Sequence, residues 1–160
     1  MPEQIRIFDY LLTDAWHFPI SQVSVFEGDP CWVRFTQHKG KFSINELSDQ
    51  DVEIERSIIG RIKDILLEMP SQELEWLQHT LVEDGFIEEF SYYNGKEVVR
   101  LTGYNIWCCL ERPELYPNAM KAINVLDRIA DVLVPLGVGK QCFALEPNSR
   151  SKKKRRIKPR

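Results

Sequence analysis

The feature that most restricts this chain is Asn94-Gly95, set between two strand-forming runs at 86–93 and 96–101. Both central residues of a two-residue type I′ turn need positive φ, and Asn-Gly adopts it at least cost, so the flanking runs should pair as a hairpin. Counting outward from Tyr93 opposite Lys96 puts Phe90 opposite Val99 and Glu89 opposite Arg100. One face then holds Phe90, Val99 and Leu101. The other holds an opposite-charge pair, worth about 0.2–1 kcal/mol. Upstream, Leu74, Leu77, Leu81 and Val82 recur at helical spacing after Ser71, and Asp84-Gly85 supplies a stop. A helix over 71–85 therefore runs straight into the hairpin.

This order of helix, Leu81-Val82-Glu83-Asp84-Gly85-Phe86-Ile87-Glu88, hairpin and Arg100-Leu101-Thr102-Gly103-Tyr104 resembles the second half of the winged-helix domains of many transcriptional regulators. The resemblance covers residues 54–107. It implies an α+β fold of winged-helix-like helices plus a β-hairpin, with an N-terminal antiparallel β segment and a C-terminal apolar helix. In that family the helix lies against DNA and the hairpin is the wing. Residues 51–69 would supply both preceding helices, broken near Gly60, or the domain is a shortened variant. The expected organisation is 1–47 for the N-terminal segment packed on the core and 48–112 for the winged-helix-like domain. Residues 113–145 follow as the C-terminal helix and 146–160 as a disordered basic tail.

Ile5, Phe8, Leu11 and Leu12 suit a helix over 2–16, although Ile5, Ile7 and Leu11 would also alternate in a strand; length without glycine favours the helix. Residues 20–26 and 31–36 read as strands around Gly28-Asp29-Pro30, with a third at 42–44. Val33 and Phe35 should face the core. Trp32, Arg34 and Thr36 then share the other face with His38, Lys39 and Lys41, a basic, aromatic combination suited to single-stranded nucleic acid. Asp29, Gln37 and Lys39 resemble a magnesium nuclease site, but the acid and the lysine would lie ~33 Å apart along one strand. Ser48 or Asp49 can cap a helix over 50–69, with Ile54, Ile58, Ile62, Ile65 and Leu66 as its buried stripe and Pro70 as its end.

The last helix spans 119–133, and 141–145 suit a short edge strand. The apolar arc of that helix is wide enough to need two partners. One is the same helix of a second copy, met through Met120, Ile123, Leu126, Ile129 and Leu133, which implies a homodimer; the alternative is its own N-terminal strands.

A net charge of −3 hides an asymmetry, because residues 150–160 hold eight basic and no acidic side chains while the rest hold 13 basic against 24 acidic. No apolar run approaches the ~18 residues of a membrane span, and the N-terminus lacks the order of a secretory signal. A cytoplasmic protein is expected, or a nuclear one if eukaryotic, since basic runs such as Lys152, Lys153, Lys154, Arg155 and Arg156 serve as localisation signals. Four scattered cysteines and three scattered histidines indicate no metal site, disulfide framework or cofactor. No paired carboxylates, nucleophile with base, or phosphate-cradling loop marks an enzyme.

Two functions fit. In the first, a winged-helix nucleic-acid-binding regulator holds DNA through wing residues Tyr92, Tyr93, Asn94, Lys96 and Arg100 and through the tail. Helix residues Gln72, Gln78 and His79 would read bases, and Arg34, Lys39 and Lys41 would add contacts. Glu73, Glu75 and Glu83 make that helix repulsive to phosphate. In the second, an adaptor binds a protein partner through the acidic winged helix and the apolar C-terminal helix.

Overall fold

The computed structural model describes residues 4–14, 16, 18–38, 47–75, 86–106, 110 and 112–143. These build strands β1 (Ile5–Asp14), β2 (Pro19–Glu27), β3 (Cys31–His38) and β4 (Leu47–Ile54), then helix α1 (Arg56–Leu66). Strands β5 (Phe86–Tyr93) and β6 (Val98–Tyr104) and helix α2 (Pro117–Leu133) follow. The strands form one antiparallel sheet in the order β4-β3-β2-β1-β5-β6. This is not a winged helix: the hairpin expected to be a wing forms two outer strands of a six-stranded sheet, docked on β1 from the N-terminus.

β1 replaces the helix expected over 2–16. Phe8, Tyr10 and Leu12 point to the core at period two, while the register shift between Arg6 and Phe8 inserts Ile7 as an extra inward residue. That bulge breaks the alternation and lets the run imitate a helical stripe. β2 and β3 form as expected, with Val33 and Phe35 buried at 0% and 1% exposure. Their neighbour is β4 at 47–54; residues 42–44 lie outside the described set.

The helix expected over 50–69 begins only at Arg56, because Asp49, Asp51 and Glu53 alternate with Val52 and Ile54 and satisfy a half-buried strand instead. Glu55, not Ser48 or Asp49, precedes the helix, and its side chain makes no capping bond. Residues 71–75 are bends and irregular chain rather than the start of a helix, and 76–85 lie outside the described residues. At the other end, Lys140–Cys142 is a 3-10 turn rather than an edge strand.

The 86–104 hairpin forms in a register two residues from the expected one, with Tyr93 opposite Val98 and Phe90 opposite Leu101. The loop is four residues, not two. Asn94 accepts the Lys96 and Glu97 amides on Oδ1, each at 2.9 Å, while its own N–H donates to the Glu97 carbonyl at 3.1 Å. Gly95 alone carries the positive φ, 98°. Because two is the side-chain period, Phe90, Val99 and Leu101 keep their shared face.

Both helices cover that inward face. α1 contributes Ile59, Ile62, Ile65 and Leu66, and α2 contributes Ala122, Ile123, Val125, Leu126, Ile129 and Leu133 to one continuous core. Ile123, Leu126, Ile129 and Leu133, the residues considered for dimerisation, are 0–2% exposed within their own chain, and Met120 is half-buried. Gly103 matters for close approach, since a Cβ there would meet Ile106 Cγ2 at 2.5 Å. No described helix is long and apolar enough to cross a membrane.

Leu126 is 0% exposed on α2. Leu126→Ala should cost about 2–5 kcal/mol, read as a lowered urea midpoint with an unchanged slope. Leu67→Ala, at a side chain 83% exposed, should stay within about 0.5 kcal/mol.

Candidate functional site

With both helices on one face, no described helix covers the other face of the sheet, and the strand registers order its side chains into rows. One row runs Asp51, Arg34, Ser24, Asp9, Ser91, Arg100 across all six strands. Asp9 is its hub, accepting from the Ser24 hydroxyl and from Gln22 Nε2 at 2.9 Å, with Arg6 4.0 Å away. At 9% exposure it is nearly buried between its neighbours. Arg34 is spent on Asp51 through bonds of 2.9 and 3.3 Å. That pairing raises the guanidinium's pKa and holds the Asp51 carboxyl below its ordinary value, the hydrogen bond being the larger cause for both.

An adjoining row places Asp49, Thr36, Gln22, Leu11, Glu89 and Thr102 in register. On the other side Phe26 stacks on Trp32 with centroids 4.2 Å apart, Arg6 lies over Phe26 and Arg34 over Trp32. Much of that ring surface is already engaged by protein cations. Arg6, Gln22, Ser24, Phe26, Arg34, Thr36 and Asp49 line a hollow of about 250 Å³ on this face.

The residues expected to gather for phosphate do not. Arg34 on β3 and Arg100 on β6 share a face but stand four strand spacings apart, ~19 Å. Tyr93 lies on the open face and donates to the Gly95 carbonyl at 3.1 Å, and Lys96 is exposed at the hairpin tip. Tyr92 points the opposite way, into the core, where its hydroxyl donates to the Pro70 carbonyl at 3.2 Å and burial raises its pKa. Asn94 is occupied by its own turn. Gln72 is exposed in a bend. Gln78, His79, Lys39, Lys41, Lys152, Lys153, Lys154, Arg155 and Arg156 lie outside the described residues.

The sequence reading passed over Trp16, Phe18 and Tyr104, which are 76%, 59% and 41% exposed. The β1–β2 loop holds the first two, with Asp14 Oδ1 accepting the Trp16 and Phe18 amides at 2.8 and 3.0 Å. The register brings Tyr104 to the same end, opposite Ile87, which pairs with Thr13. The available signal was Asp14 preceding two aromatics and Pro19, a turn that exposes what it carries. The described residues contain no group of three His, Cys, Asp or Glu able to hold a metal ion. No protein-family model matches the chain, and no curated protein matches it.

The Cys142 thiol is buried, and desolvation raises its pKa from 9.0 to about 12. It should resist alkylation at pH 8 in the native protein and react on unfolding, as read by peptide mass mapping. A raised folded pKa also fixes the sign of its linkage. Its contribution to stability is intact below pH 9 and is lost as pH climbs toward 12.

Proposed function

We propose that this chain is a non-catalytic binding module that docks a protein partner on the uncovered face of its sheet. The observation that carries the reading is the composition of that face. Asp9, Asp49, Asp51, Glu53 and Glu89 outnumber Arg6, Arg34 and Arg100 there, and aromatic side chains stand at the margins. Exposed Trp and Tyr beside polar groups are the usual anchors of protein interfaces. A phosphate chain would instead meet more carboxylates than free cations.

A second reading, nucleic-acid binding, is favoured by one feature, the eight cations within residues 150–160. Such a segment binds polyanions by counterion release, with log K falling by about 0.9 per phosphate contact for each decade of salt. The two readings coexist in one chain, with a protein on the sheet and a polyanion on the tail.

Fluorescence anisotropy with labelled duplex and single-stranded DNA at two salt concentrations separates them. The full chain should bind at low salt and release steeply as salt rises. A chain ending at Ser149, which retains every described element, should not bind at either concentration. Residual binding by the shortened chain would transfer the nucleic-acid site to the sheet and overturn the proposal.

A further inference from the structure

We infer that residues 150–160 dock on the β4 edge of the sheet in the same molecule, so that the body of the chain shields its own basic tail. β4 is an outer strand of the sheet, so one side of its backbone has no strand partner among the described residues. Asp49, Asp51 and Glu53 are exposed along it on the uncovered face. The described chain ends against β2 and against β3, the strand next to β4. The Ser21 hydroxyl donates to the Cys142 carbonyl at 2.9 Å, and the Cys142 thiol lies 3.7 Å from the Thr36 carbonyl. Thr36 is paired with Asp49, the first of the three acids.

From Phe143 the chain therefore continues from beside β3, one strand in from the acidic edge. The six residues 144–149 span at most about 20 Å, and the eleven that follow are enough to run the length of β4, about 23 Å at ~3.3 Å per residue. Opposite charge, the exit point and the length available agree on the same occupant. Tethering helps, because a short linker supplies an effective concentration in the millimolar range, so weak individual ion pairs suffice. Polyanion binding would then have to displace the tail from β4, and the apparent affinity falls by the fraction of tails held.

Zero-length carbodiimide coupling of the full chain, mixed with isotopically labelled chain, tests this without any nucleic acid. Links from Lys152, Lys153, Lys154 or Lys158 should concentrate on Asp49, Asp51 and Glu53, join residues of one molecule, and vanish in about 0.5 M salt, where the Debye length is a few ångströms. Links mainly to Asp64, Glu97 or Asp131, links between molecules, or no tail links would each overturn the inference. As a second measurement, Asp49→Asn with Glu53→Gln should raise low-salt DNA affinity about threefold or more. Asp64→Asn with Asp131→Asn, an equal charge change on the helical layer, should not. Equal gains from both pairs would mean that only overall charge matters and would equally overturn it.

Discussion

Two strands from distant parts of the sequence, β2 and β5, hydrogen-bond to β1 at once, and that double pairing makes one sheet of residues 5–54 and 86–104. Without it, a four-stranded meander and a separate hairpin would each expose an apolar face. The join is reinforced where Tyr10, at 0% exposure, packs its ring at a 46° tilt against Phe90 and donates to Glu88 Oε2 at 2.6 Å. A carboxylate at 0% exposure is tolerated only with such bonds. The partners are 78 residues apart, so the contact closes a long loop that hydrophobic burial on both sides must offset.

Once β1 is central, the rest of the architecture has little freedom. Both helices approach from the side to which Phe8, Tyr10 and Leu12 point, and α2 is used up there, being buried on most of its circumference. Its wide apolar arc is explained by its own sheet and by α1. The opposite face carries polar pairs in register: Arg34 with Asp51, Thr36 with Asp49, Ser24 with Asp9. Such pairs satisfy the polar side chains of a face that no described helix covers.

What could be read from sequence follows from how local each signal is. The 86–104 hairpin and α2 were legible because Asn94-Gly95 and a long 3.6-residue stripe act within a few residues of chain. The hairpin's register was not, since Asn94 caps a four-residue loop with its side chain, a choice Asn-Gly does not announce. β1 was hidden by its bulge at Ile7, and the start of α1 by carboxylates that serve equally on a strand's open face. The winged-helix likeness failed for a topological reason, because no local pattern reveals that β5 will pair with residues 5–14. Arg34 and Trp32 were placed on the correct face, but the pairing of Arg34 with Asp51 depended on β4 being a strand.

Amide hydrogen exchange along β1 tests the double pairing most directly. The amides of residues 8–12, which alternate between β2 and β5 as partners, should exchange only by global unfolding, with protection equal to that of the α2 core and well above the edge strands β4 and β6. Exchange of residues 8–12 at edge-strand rates, while α2 remains protected, would mean that β1 does not join the two halves.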